Sequence, residues 1–476
     1  MSDTGLRTAL ILAAGLLAVV FLFLTRPEYF ASPSELGALV VAELVLAAAC
    51  KYREAFFPVL MAAFLWAGTD LPLRAAWLQG RWFVLILGAL AGVAVYLKDR
   101  QHHFGTFHLV AFFCILSAIV SASVSAYPEE SLLKAASLLL LFVYAGAGGR
   151  LAVPVFQQEK FFRGLVTICE TVTYITAVFY FLFHFEVFGN PNSLGAVMGV
   201  VVVPSLFWGV VASRSTGERR RRGFTLLLAM VVLLSSFSRA SCAAAGLSCL
   251  MIGISARQYR LIAKGVAATI VLALVVATLL PLPEDAPRWN GSDSVASLFL
   301  YKGKPEGGFA GSRQGPWQQT LTVMKEHPWF GSGFGTSVTL DDVTQFALMH
   351  AHFDSRIVRE HGNSYLAITE WVGLLGVVPF YSLIVLTTLN VRRAFSRLRE
   401  SGDVFAPAVP VAAMVGAALV HATFEDWMFA VGYYLCVFFW AMAFILVDVL
   451  RAPAVADSNP VVVLAEPQFL AAASGQ

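Results

Sequence analysis

Long apolar runs, rather than alternating or amphipathic patterns, dominate the chain. They recur near 8–24, 36–50, 55–70, 82–97, 106–124, 131–147, 163–187, 194–212, 223–238, 240–256, 264–280, 364–390, 406–422 and 427–449. A helix needs about 20 predominantly apolar residues to cross a bilayer. The pattern therefore predicts an all-α polytopic transmembrane helix bundle of about 12–14 spans. The runs at 36–50 and 240–256 are short. The first run, Thr8 to Leu24, is longer and more purely apolar than a signal-peptide core, and no small-residue cleavage site clearly follows it. It reads as a retained span.

One connection differs from the rest. Residues 281–363 form a long polar segment between two spans. Pro281 and Pro283 stop the preceding helix. Ser312 is placed to cap a helix from Arg313 to about Glu326, with Trp317, Thr320, Leu321 and Met324 on one face. His327-Pro328 and then Gly331, Gly333 and Gly335 break that helix into a loop. Asp354 is placed to cap a last helix running through His361 into the next span. The chain thus divides into an N-terminal transmembrane bundle (1–280), an extracytoplasmic loop (281–363), C-terminal transmembrane helices (364–450) and a cytoplasmic tail (451–476).

Composition agrees with the pattern. The chain is 58% hydrophobic and only 13% charged, too few charges to cover a soluble protein of 476 residues. The net charge of +3 matters less than where the charges lie. Alternate connections carry Lys51 and Arg53, Lys98 and Arg100, Arg150 to Arg163, Arg219 to Arg222, Arg257 to Lys264, and Arg392 to Arg399. The positive-inside rule makes that set cytoplasmic, places both termini there and puts residues 281–363 outside. Arg219–Arg222 read as a cytoplasmic anchor rather than a nucleic-acid patch. The six cysteines, Cys50, Cys114, Cys169, Cys242, Cys249 and Cys436, fall in or at the ends of apolar runs without metal-ligand spacing, so neither disulfide nor metal site is expected.

The candidate chemistry lies on the outer side. Gly189-Asn190-Pro191-Asn192-Ser193 reads as a turn with a helix cap from Asn192, or as a binding turn. Arg239, after Ser236-Phe237-Ser238, sits at the outer end of a span, where it must snorkel or meet an anion. The loop adds Arg313, Lys325, Arg356, Arg359, Glu360 and His361. Such arginines can surround a phosphate group through paired, charge-assisted hydrogen bonds. A histidine beside them can accept a proton near neutral pH, and neighbouring arginines would lower its pKa and keep it free. Together they point to an anionic lipid headgroup handled at the outer face. Glu43 and Glu170, inside apolar runs, suggest either a proton path or protonated packing roles.

Arg313-Gln-Gly-Pro-Trp317, Glu326-His-Pro-Trp-Phe-Gly-Ser-Gly-Phe-Gly335, His361-Gly-Asn-Ser-Tyr-Leu366 and Gly373-Leu-Leu-Gly376, preceded by Asn190-Pro-Asn192 and Ser238-Arg239, follow one another in the order of a known group. Over about 189–376 the chain resembles the O-antigen ligase-like superfamily. That group comprises O-antigen ligases, some surface-polysaccharide polymerases and protein O-oligosaccharyltransferases. One departure is Gly362, which intervenes between His361 and Asn363 where the family often has His-Asn.

The resemblance implies a membrane glycosyltransferase that moves a glycan from an undecaprenyl-diphosphate carrier to an acceptor hydroxyl, using no metal, nucleotide or other cofactor. Arg239 and Arg313 would hold the diphosphate, and His361 would deprotonate or orient the attacking hydroxyl. Glu360, His350 and His352 are its rivals as the base. Asn190, Asn192, Asn363, Trp317, Glu360 and Glu370 would contact substrate or brace the site. Displacement would be direct and inverting. The acceptor would be lipid A core for a ligase, or a second lipid-linked glycan for a polymerase. The site would face the periplasm from a bacterial inner membrane. A lipid-linked glycan flippase is the rival of another class, but a transporter concentrates essential charge near the midplane, whereas here it clusters at one face.

Overall fold

The computed structural model describes residues 56–69, 74–98, 105–148, 158–279, 311–337 and 359–451. The runs expected at 8–24 and 36–50 lie outside these residues. So do Glu43, Cys50, Pro281, Pro283, His350, His352, Asp354, Arg356 and the tail from 452.

Every apolar run within the described residues is a helix, and no strand is present among them. In chain order these are α1 (Phe56–Ala67), α2 (Arg74–Lys98), α3 (Thr106–Ser123), α4 (Pro128–Val143, continued by a π-turn at Tyr144–Gly148), α5 (Gln158–Leu182) and α6 (Pro191–Val211). There follow α7 (Thr216–Ser235), α8 (Arg239–Ser255), α9 (Tyr259–Leu279), α10 (Gly311–Glu326), α11 (Ser364–Ser401), α12 (Ala408–His421) and α13 (Tyr434–Arg451). Seven of them, α3, α4, α5, α6, α9, α11 and α13, are long and apolar enough to cross a bilayer. The chain is an all-α multi-pass membrane protein.

Burial orders the bundle. The apolar stretch of α6 is 89% buried and that of α13 83%, while that of α9 is only 6% buried. The first two form the centre and α9 the rim. Leu109, Leu133, Leu182, Ile270 and Val378 are apolar and more than half exposed, a surface that only lipid covers at no cost. Close helix contact comes from small residues, as expected where lipid supplies no hydrophobic drive. Gly195 and Gly199 stand one turn apart on α6 and face α8. A Cβ at Gly195 would lie 2.5 Å from Ser238 Cβ, and one at Gly199 would lie 2.4 Å from the Ser241 carbonyl oxygen. Between them α6 loosens into a π-segment, Val197–Val202, just ahead of Pro204, whose ring cannot continue the regular ladder.

The connections sort into two groups by contact. In one, Ser131 Oγ donates to the Phe334 carbonyl (2.9 Å), Arg81 to that of Gly432 (2.7 Å) and Ser364 Oγ to that of Glu425 (2.6 Å). In the other, Trp208 Nε1 donates to the Val404 carbonyl (2.8 Å) and Arg397 to that of Leu450 (2.7 Å). These are the two sets separated by the charge pattern. Within the basic run, Arg222 is buried, donating to the Gly209 carbonyl (2.9 Å) and pairing with Glu218 (2.7 Å). Arg221 pairs with Glu170 at 3.2 Å. A guanidinium from α7 thus reaches the Glu170 carboxyl within the bundle.

α11 is broken. Gly373 has φ +65° and ψ −176°, outside helical geometry. The break frees backbone groups within a helix long and apolar enough to cross a bilayer, and the glycine loop after α10 takes them up. Ser332 and Gly333 N–H donate to the Glu370 and Trp371 carbonyls (3.0 and 3.2 Å). Leu374 and Leu375 N–H donate to those of Pro328 and Trp329 (2.8 and 3.1 Å). Ser121 Oγ of α3 also donates to the Trp371 carbonyl. Irregular backbone in a membrane persists only where protein satisfies it in this way. The two chains cross glycine on glycine: a Cβ at Gly331 (φ +78°) would lie 2.3 Å from the Trp371 oxygen, and one at Gly373 2.5 Å from the Gly331 nitrogen.

Two expectations about this segment are corrected. No helix runs through His361. Residues 359–363 are irregular, Gly362 has φ +61°, and α11 starts at Ser364 under an Asn363 cap. On α10, Thr320 and Val323 face inward, while Leu321 is 46% exposed and points away. Thr320, whose hydroxyl bonds back to the Pro316 carbonyl, is inward as expected, but Val323 takes the inward place expected of Leu321.

Candidate active site at the helix ends

Three segments converge above the bundle: the glycine loop, residues 359–363, and the turn between α12 and α13. His361 is at their centre and is fully buried. Its ring stands edge-on to Trp371, with centroids 5.4 Å apart. Nε2 lies 3.1 Å from Ser337 Oγ and 3.2 Å from Glu370 Oε1. Nδ1 lies 3.4 Å from Asp426 Oδ2, and the same oxygen accepts the His361 backbone N–H at 2.6 Å. Burial works against a charged imidazole, but the hydrogen-bonded carboxylates of Asp426 and Glu370 outweigh it and raise the His361 pKa. This reverses the expectation that flanking arginines depress it. The arginines are close in sequence, but carboxylates occupy both ring nitrogens. Burial likewise disfavours a charged Asp426, and its bonds to His361 overcome that and lower its pKa.

Arg359 and Arg313 both have carboxylate partners. Arg359 pairs with the fully buried Glu370, leaving its Nε and Nη1 donors without a hydrogen-bond partner. Arg313, projecting from α10, bridges Glu360 on one side and Glu425 (2.6 Å) on the other. Its side chain crosses directly over Gly362, where a Cβ would lie 2.8 Å from Arg313 Cδ. Trp317 Nε1 donates to the Gly362 carbonyl at 3.3 Å. The extra residue between His361 and Asn363 is thus the seat of the arginine, and its φ of +61° favours glycine.

Arg239 opens α8 and is close enough to Arg313 for the two guanidiniums to repel. It follows a strained turn in which Phe237 has φ +49°. Asn190 caps α6 rather than Asn192, accepting from Ser193 N–H at 2.7 Å, with Pro191 at the first helical position. Asn192 is exposed on the same turn. Asn363 Oδ1 accepts from Tyr365 and Leu366 N–H (2.8 and 3.1 Å). Asn190 and Asn363 therefore hold helix starts, Trp317 holds the Gly362 backbone, Glu370 holds the Arg359 and His361 side chains, and Glu360 is 65% exposed beside Arg313.

Sequence reasoning passed over Glu425, Asp426, His421 and Ser337. An acidic pair in a four-residue turn between two spans, on the arginine side of the membrane, was a usable signal for the first two. Ser337 and His421 had none, because only folding brings them to the site. Among the described residues no cluster of His, Cys, Asp and Glu is arranged to hold a metal.

Residues 224–381 match the family described as O-antigen ligase. The matched stretch contains Arg239, Arg313, the glycine loop, His361 and Glu370, while Glu425 and Asp426 follow it. No curated protein matches the chain. The match covers this domain alone and supports an O-antigen ligase-like family.

Proposed function

We propose that this protein is a membrane glycosyltransferase that moves a glycan from a polyprenyl-diphosphate carrier to an acceptor hydroxyl at the outer face of a bacterial inner membrane. The observation that carries the reading is the pairing, inside an O-antigen ligase domain, of a two-arginine site (Arg239, Arg313) with a histidine set between carboxylates (His361, Asp426, Glu370).

The diphosphate binds Arg239 and Arg313, displacing the exposed Glu360 from the Arg313 fork. The acceptor oxygen attacks the anomeric carbon from the opposite face, and the bond to the phosphate oxygen breaks with inversion. Charge that develops on the leaving diphosphate is stabilised by the two guanidiniums. The acceptor proton passes to His361 Nε2. The ring is buried, so it travels through the Ser337 hydroxyl, 3.1 Å away. Asp426, beside Nδ1, and Glu370, beside Nε2, stabilise the imidazolium that forms.

A deletion strain tests the reading. Lipid A-linked glycan is separated from free polymer and from single lipid-linked repeats. Loss of attachment with normal chain length identifies a ligase, and accumulation of single repeats identifies a polymerase. Unchanged glycan at the surface, with lipid-linked donor trapped in the cytoplasmic leaflet, would replace both with a flippase.

A further inference from the structure

Behind Arg239 lies a buried polar chain that the mechanism above does not use. His421, the last residue of α12, is 2% exposed. Its Nδ1 accepts from Trp427 Nε1–H at 2.9 Å. Its Nε2 is 3.1 Å from Ser241 Oγ, which is 2.7 Å from Ser238 Oγ.

The first donor fixes the direction of the two histidine bonds. Indole N–H only donates, so Nδ1 carries no proton. A neutral imidazole must then carry its proton on Nε2 and give it to Ser241 Oγ. The Ser241 hydrogen can take Ser238 Oγ as its acceptor. Among the described residues four donors (Trp427, His421, Ser241, Ser238) thus face three acceptors, so one serine hydrogen is spare; Ser241 is fully enclosed within α8, and Ser238, at the start of that helix, is the one a ligand can satisfy. Ser238 is 4% exposed, and a buried donor without an acceptor is unfavourable. Ser238 is also the N-cap residue of α8 yet makes no side-chain cap bond, because its hydroxyl is turned to Ser241. Its Oγ lies where the start of α8 meets the start of α6, close against Gly195. Both helix N-termini present positive dipole ends there, and Arg239 is the next residue.

We propose that the Ser238 hydroxyl is a ligand for a phosphate oxygen of the carrier diphosphate, held as a donor by the Trp427–His421–Ser241 chain. This rests on the diphosphate-carrier reading given above. His421 and Trp427 are positioning residues. They do not touch the ligand, and they set which way the Ser238 hydrogen points.

The test uses the full chain in lipid nanodiscs, with a polyprenyl diphosphate as probe and the matching polyprenyl alcohol as control. Ser238→Ala weakens diphosphate binding about 10-fold or more, the scale of a hydrogen bond to a charged group, and leaves alcohol binding unchanged. Ser238→Thr, which keeps the hydroxyl, binds close to wild type. His421→Gln also binds close to wild type, because an amide accepts from Trp427 and donates to Ser241, whereas His421→Leu behaves like Ser238→Ala. Wild-type affinity in Ser238→Ala overturns the proposal, as does equal weakness in Ser238→Thr or equal loss for the alcohol. Arg239→Ala separates the two levels: if it loses binding while Ser238→Ala does not, this inference fails and the diphosphate reading stands. If Arg239→Ala and Arg313→Ala also bind normally, both fail.

Discussion

His361 differs from a solvent histidine in having a carboxylate at each nitrogen. To accept a proton it must be neutral, so transfer falls as pH drops through its pKa. That pKa is raised, so the acid limb of the pH–rate profile lies above the ordinary imidazole value of about 6.5. Asp426→Asn removes one group that favours the imidazolium, which lowers the pKa and moves the limb to lower pH. The profile is measured as transfer in purified membranes, and a limb that stays put or moves upward removes Asp426 from this role. His361→Gln loses about 10²-fold or more in transfer while keeping donor binding; lost donor binding would make it a phosphate ligand instead. Arg313→Lys transfers poorly, because one ammonium cannot span the Glu360 and Glu425 positions that the fork bridges. Arg313→Ala loses about 10²–10³-fold, the range for a lost charge-stabilising donor. Full activity in the lysine variant would reduce the arginine to a diffuse positive charge. The arginines and His361 were legible in the sequence because charge is conspicuous against apolar runs. Their partners were less so, since Glu425 and Asp426 lie more than sixty residues from His361 along the chain and meet it only through folding.

Among the elements, the broken α11 does most to place the site. The apolar run predicts a helix there and helix is what forms, but hydropathy contains no sign of a break, because Gly373 is one small residue in an apolar stretch. What breaks it is a second chain segment with the right backbone groups, and that pairing is tertiary. Gly373→Ala puts a Cβ 2.5 Å from backbone atoms of Trp329 and Gly331 at a φ of +65°. The conformation alone costs about 1–3 kcal/mol in a non-glycine residue. The variant should denature at lower temperature in detergent and transfer poorly. Gly246→Ala on α8, where a Cβ meets nothing within 4 Å, should match wild type in both. Equal behaviour of the two variants would mean that the break is not required. The N-caps show the opposite case: Asn-Pro and Asn-Ser at helix starts are readable from sequence, although the structure uses Asn190 where Asn192 was the expected cap.

At the scale of the whole molecule, topology was the most legible property and the depth of each helix the least. Basic residues separate the connections into two sets, and the contacts group them the same way. Hydropathy could not say that α6 and α13 are central while α9 is peripheral, since all three are equally apolar; small residues facing α8 distinguish α6. The sidedness is testable in a cysteine-free background. A cysteine at the exposed Glu326 should react with an impermeant thiol reagent in whole cells, and one at the exposed Thr216 only after the membrane is opened. The reverse labelling would invert the protein. The pairing of residues 328–333 with the break in α11 also bears on how the protein is made. The carbonyls of Glu370 and Trp371 cannot stay bare in hydrocarbon, and their partners lie about forty residues earlier in the chain. As the chain folds into the membrane, loop and broken helix must therefore settle together, because each satisfies the other's backbone. The bracket beside His361 is thus one cooperative unit, in which loosening either segment bares the polar backbone of both.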